Sequence, residues 1–167
     1  MQAPTLQTAR LTLRPMRETD FPSYAALMAG PRSIYMGGPF DTGAAWGLFC
    51  HDVACWALFG HGALMLERHD TGETVGQVGL NAGPLFPETE LGWMVYDGHA
   101  RQGFATEGAA ALRDWAWDAL PLDSLVSYTH PDNAASQAVA RRLGAVEDGD
   151  APRQDAEDIV FRHWRAA

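Results

Sequence analysis

The chain has 167 residues, enough for one full hydrophobic core and short for two, so a single domain over 1–167 is expected. A hydrophobic content of 47% fits an ordinary globule. No run approaches the ~18 to 20 apolar residues of a membrane helix, and the N-terminus lacks a signal-peptide plan, which points to the cytoplasm. All 12 basic residues counted as Lys plus Arg are arginine, which excludes a P-loop lysine and a pyridoxal-phosphate Schiff base. The formal net charge of −9 argues against nucleic acid or an anionic membrane as partner.

In chain order, Arg10 to Pro15 alternates Leu11 and Leu13 with Thr12 and Arg14 and reads as a strand. Phe21, Tyr24, Ala25 and Met28 recur at helical spacing after Thr19 or Asp20. Gly30 to Phe40, with Gly37, Gly38 and Pro39, reads as a loop, and Asp41 or Thr42 starts a second helix reaching about Leu58. Strands are expected at His61 to Arg68, Thr74 to Asn81 and Thr89 to Tyr96, the first two joined by the hairpin turn Asp70-Thr71-Gly72. Phe104 to Leu120 carries Ala105, Ala109, Leu112, Ala116 and Leu120 on one face of a core helix. Ser124 to Thr129 is a strand, Asn133 to Leu143 a helix closed by Gly144, and Asp158 to Trp164 a last strand. The polar segment Glu147 to Glu157 is expected to be a mobile loop. The fold class is α/β of the α+β type: a mixed, mostly antiparallel central sheet of six to seven strands flanked by about four helices.

Cys50 and Cys55 lie five residues apart in an apolar helix, which points them away from each other. They have no CxxC spacing, so buried free thiols are expected and no metal.

Arg101 to Gly108 follows an apolar strand and opens a long helix. The free N–H groups of a first helical turn converge on one point, and the macrodipole favours an anion there, so a phosphate is the first ligand to suspect. The turn lacks GxGxxG and sits late in the chain, which disfavours a dinucleotide-binding domain.

Glu90-Leu91-Gly92-Trp93-Met94-Val95, the turn Ala100-Arg101-Gln102-Gly103-Phe104-Ala105, and Asn133-Ala134-Ala135-Ser136 with Leu143-Gly144-Ala145 together resemble the GNAT N-acetyltransferase superfamily. Thr8-Ala9-Arg10-Leu11-Thr12-Leu13-Arg14-Pro15 and Thr106-Glu107 resemble its RimJ/RimL-like branch. The resemblance spans about residues 8 to 164 and implies the acyl-CoA N-acyltransferase fold. It implies acetyl-CoA as co-substrate, without a metal, in a cleft between the strands starting near Glu90 and Ser124. The implied cofactor-binding residues are Trp93, Met94 and Val95 beside the pantetheine arm; Arg101, Gln102, Gly103, Phe104, Ala105 and Thr106 around the pyrophosphate; and Asn133 and Ser136. The family pattern has Gln or Arg where Ala100 stands, and many members have tyrosine where Ala140 stands.

Acetyl transfer to an amine needs a deprotonated nucleophile and a neutralised leaving thiolate. Glu90, which opens the strand leading into the cofactor loop, is the candidate base, able to accept an ammonium proton directly or through water, and the resemblance makes Ser136 the candidate proton donor. Locally, Glu90 also reads as an exposed strand-end acid, Asn133 as a helix N-cap and Ser136 as a first-turn residue. His51, His99 and His130 are weaker candidate bases. Cys50 or Cys55 as an acyl carrier is disfavoured, which leaves direct transfer. Tyr35 to Phe40 with Trp46, Phe49 and Trp56 would shape the acceptor site, although most of these aromatics read as core. The implied activity is acetyl transfer to a primary amine, of a small molecule or a peptide or protein N-terminus, by a monomer or homodimer. A non-catalytic acyl-CoA-binding module is the alternative.

Overall fold

The structure, a computed structural model, describes residues 2–165. Its strands are β1 (Leu6–Gln7), β2 (Leu11–Pro15), β3 (Ala63–Arg68), β4 (Thr74–Asn81), β5 (Glu90–Val95), β6 (Ser124–Thr129), β7 (Val146–Glu147) and β8 (Ile159–Trp164). Four α-helices accompany them: α1 (Phe21–Ala29), α2 (Thr42–Phe59), α3 (Phe104–Ala119) and α4 (Ala134–Arg142). The eight strands form one sheet in the order β1-β2-β3-β4-β5-β6-β8-β7. Every pairing is antiparallel except β5 with β6.

The helices cover both faces, so the central strands lack a simple in–out alternation of hydrophobicity. Leu64, Leu66, Val78, Leu80 and Leu91 pack with Ala109, Leu112 and Ala116 of α3 on one face. Met65 and Tyr96 pack with Tyr24, Leu27 and Met28 of α1 and Phe49 of α2 on the other. The Asp41 carboxylate accepts from the Ala44 amide at 2.8 Å to start α2.

β1 and β7, two residues each, raise the strand number above the six to seven expected. Pieces this short carry too little periodicity to show in a sequence. The expected loop at residues 30–40 contains a 3-10 helix, Pro31–Met36, opened by the preset backbone of its proline. The polar segment after β7, expected to be mobile, is tied together by Arg153, whose guanidinium donates to the carbonyls of Asp148, Gly149, Ala151 and Asp158. Cys55 is buried, but Cys50 is exposed, because it falls on the outer face of α2. No described helix is long and apolar enough to cross a membrane.

A buried ion network anchors the start of the chain. The Arg14 guanidinium donates to both carboxylate oxygens of Asp20 at 2.9 and 2.7 Å and to Glu67 at 2.6 Å. Burial pushes Asp20 up, but the Arg14 contacts and the Arg17 amide together hold it below the usual carboxylate range. Its stabilisation is therefore present above that range and lost as pH falls through the depressed value. Asp20→Asn leaves the buried guanidinium with Glu67 as its remaining carboxylate partner and is expected to cost about 3 kcal/mol at pH 7, read by urea denaturation. The loss should shrink on acidification.

Candidate active site

The parallel contact between β5 and β6 is short. Its register pair is Glu90 with Val126, and the Val126 amide donates to the Thr89 carbonyl at 3.1 Å. At the next step the Ser127 hydroxyl, not a backbone amide, donates to the Leu91 carbonyl at 2.6 Å. His163 holds that serine through Nε2 at 3.0 Å, and burial pushes this histidine down to about 4, so it stays neutral. Because the serine proton is engaged by Leu91, the imidazole N–H is the donor to Ser127.

Beyond Leu91 the two strands part. The Tyr96 amide donates to the Val75 carbonyl on β4, so even-numbered β5 amides face β4. The backbone groups of Trp93 and Val95 therefore face the gap as an unpaired strand edge. Met94 turns its backbone toward β4 and contributes its side chain to the lining.

A cleft of about 1280 Å³ occupies the gap and extends over the α1–α2 face. Of the residues singled out in the sequence, it brings together Glu90, Trp93, Met94, Val95, Arg101, Gly103, Phe104, Ala105, Thr106, Asn133 and Ser136. Gln102 is outside: its side-chain amide donates to the Gly98 carbonyl at 3.1 Å, away from the cleft. Asn133 also serves as the N-cap of α4, accepting from the Ser136 amide at 3.2 Å. His51 and His130 line the cleft, whereas His99 is set apart near Glu73 at 3.3 Å. Among the aromatics named for the acceptor side, Tyr35 lines the cleft. Phe49 and Trp56 are core, as expected for most of them, and Trp46 is exposed but faces a separate shallow concavity with Cys50.

The phosphate-type turn is built from two left-handed residues, Arg101 at φ 62° and Gly103 at φ 84°. Alternating handedness turns successive N–H groups inward, which makes an anion nest at the start of α3. The opening motif braces this nest from behind. Arg10 donates to the Gln102 carbonyl at 2.9 Å and pairs with Glu107 at 2.6 Å, while its guanidinium lies 4.8 Å from the centre of the Phe104 ring. Thr8 donates to Glu107 at 2.6 Å.

Glu90 sits where the strands part. Its carboxylate accepts from the Asn81 side chain at 2.8 Å. Neighbouring protein crowds the group while the cleft still reaches it; desolvation pushes it up to about 7, against the pull of the Asn81 and Tyr128 donors. Gly92 adds no side chain above the pair: a Cβ there would stand 3.3 Å from the Asn81 amide.

Sequence reasoning missed Asp52. The Gln77 amide at 2.7 Å and the Tyr24 hydroxyl at 3.3 Å both donate to its carboxylate, and burial pushes it up to about 6. The available signal was its being the sole acidic residue in α2. Among the described residues no cluster of three or more His, Cys, Asp or Glu side chains is arranged to hold a metal.

A model of the GNAT acetyltransferase domain matches residues 10–146. The chain belongs to the GNAT acetyltransferase family. An acetyltransferase structure from Agrobacterium tumefaciens is 55% identical, with TM-score 0.95, and the match covers 99% of this chain and 96% of that one. RimL, the ribosomal L7/L12 α-N-protein acetyltransferase in complex with coenzyme A, shares the fold at 18% identity and TM-score 0.74, over 96% of this chain and 98% of that one. The N-acetyltransferase YoaA of Bacillus subtilis is 29% identical over 85 residues, which span 50% of this chain and 48% of YoaA.

Proposed function

We propose that this protein is an acetyl-CoA-dependent N-acetyltransferase that moves the acetyl group directly from thioester to a primary amine, of a small molecule or a peptide N-terminus. The observation that carries the reading is Glu90. A carboxylate raised to about 7 stands where the strands part, with the anion nest on one side and the Asp52 carboxylate of α2 on the other. The nest and Arg101 would hold the pyrophosphate, and the Trp93 and Val95 backbone would pair with the pantetheine amides as an added strand. That RimL, which shares the fold, is found in complex with coenzyme A supports this reading. Acetyl-CoA supplies an activated acyl group on a thiol of pKa about 8.5, a tolerable leaving group.

In this site Glu90 accepts the proton of the incoming ammonium, and Asn81 fixes the carboxylate through one oxygen. The Ser136 hydroxyl, in the first turn of α4 and in the cleft lining, would return a proton to the departing sulfur, the role the family resemblance gives it. Direct transfer is favoured because neither cysteine lines the cleft and burial pushes the Cys55 thiol up, away from the thiolate. Calorimetry should show acetyl-CoA binding, and thiol release should follow on adding amines. A protein that binds no acyl-CoA, or binds it without turnover across amines and N-terminal peptides, would overturn the proposal.

A further inference from the structure

Along the floor of the cleft, β4 and β5 present two polar stations with bare backbone between them. Gln77, Gly79 and Asn81 alternate onto one face of β4, and the cross-strand partners Met94, Gly92 and Glu90 lie opposite them. Gly79 and Gly92 face each other in the middle, and both line the cleft. A Cβ at Gly79 would meet Ala63 at 3.2 Å, so the trough is kept free of side chains. At one end stand Asn81 and Glu90; at the other stand Gln77 and Asp52.

The Asp52 station is built to accept hydrogen bonds. A carboxylate can only accept, so the 2.7 Å contact fixes the Gln77 amide with Nε2 on Asp52 and turns Oε1 the other way. That Oε1 is buried, on a residue 5% exposed that lines the cleft, and it has no hydrogen-bond partner. An unpaired carbonyl oxygen beside a buried carboxylate calls for a donor, and a cationic donor most of all.

We propose that the acceptor is a linear diamine, one nitrogen held by Asp52 and Gln77 Oε1 while the other is acetylated at Glu90. This names the substrate class for the N-acetyltransferase reading above and rests on it. Four residues of strand separate the two stations, about 13 Å, and hydrogen bonds of about 3 Å directed inward along the trough from each end would leave about 7 Å between nitrogens. That is the reach of a chain of about four or five methylenes, which the glycine-floored trough can seat. The titratable groups around the station are His51 beside Asp52 on α2 and Glu90 across the trough, with the Tyr24 and Tyr96 hydroxyls on α1 and after β5. The Arg32 guanidinium at the cleft rim is already paired with Asp97 at 2.8 Å.

The test is titration calorimetry at pH 8 with 1,4-diaminobutane, 1,5-diaminopentane and butylamine, with and without coenzyme A. The expected result is diamine binding about tenfold or more tighter than butylamine. Asp52→Asn and Gln77→Met should each bring that ratio near one, with melting curves confirming that the variant is folded. If one variant fails to fold, the other and the wild-type ratio still decide. Equal binding of the three amines to the wild type, a preference that survives in the folded variants, or tighter binding of an N-terminal peptide than of either diamine would overturn the proposal. Tight diamine binding without acetyl-CoA-dependent turnover would instead overturn the acetyltransferase reading and leave the station intact.

Discussion

Glu90→Gln is expected to lower kcat for amine acetylation about 10³-fold while acetyl-CoA affinity stays within about threefold, because a general base contributes of this order to the chemical step. The substitution keeps an oxygen for the Asn81 amide and removes the proton acceptor. Wild-type kcat should rise with pH through a limb near 7, the raised value of Glu90, and the limb should vanish in the variant. Stability provides an independent readout. The carboxylate titrates near 4.5 when unfolded and near 7 when folded, so its neutral form favours the native state. That contribution is complete below the unfolded value and disappears as pH rises through the folded one. The glutamine variant should therefore be more stable than wild type at pH 8, by about 1 to 3 kcal/mol, and no more stable at pH 4. Unchanged kcat together with unchanged pH-dependence of melting would remove Glu90 from the mechanism.

Gly103→Glu should weaken acetyl-CoA binding by about 100-fold or more, measured by calorimetry. Two costs combine. Gly103 holds φ +84°, a region that costs an L-residue about 1 to 2 kcal/mol, and its Cβ would stand 3.2 Å from the Arg10 guanidinium that braces the turn. The added carboxylate also competes with phosphate for the same amides. Gly103→Ala separates the terms: it carries the backbone cost without the charge and should lose about tenfold. Wild-type affinity in Gly103→Glu would show that the nest does not hold the pyrophosphate.

The strand-turn-helix side of the cleft, proposed to hold the cofactor, was legible because it is local: a strand, a glycine turn and a helix start are contiguous in sequence, and a backbone nest needs no particular side chain. The side proposed for the acceptor was not. Asp52 and Gln77 are 25 residues apart and meet only because α2 is laid across β4. Gln77 lies in a strand whose neighbours Val75, Val78 and Leu80 are core residues, so a lone amide there carries no periodic signal. Thr8 and Arg10 were markers of a family branch, and their work against Glu107 appears only when β2 is brought beside α3. The short β1 and β7 escaped because two residues cannot establish a period, while β2 to β6 and β8, each five residues or longer, were all legible.

Ala140, where the family resemblance leads one to expect tyrosine, is 0% exposed and packed with Ala145 and Phe161, outside the cleft. A phenol has no room there, and α4 carries no tyrosine of its own. The phenols of Tyr24 and Tyr96 are themselves pushed above their ordinary range, and the sequence has no lysine. With Glu90 as the base, the rate is expected to rise near neutrality and to show no falling limb from a lysine or from Tyr24 or Tyr96, which would leave unfolding and thioester hydrolysis to set the alkaline limit.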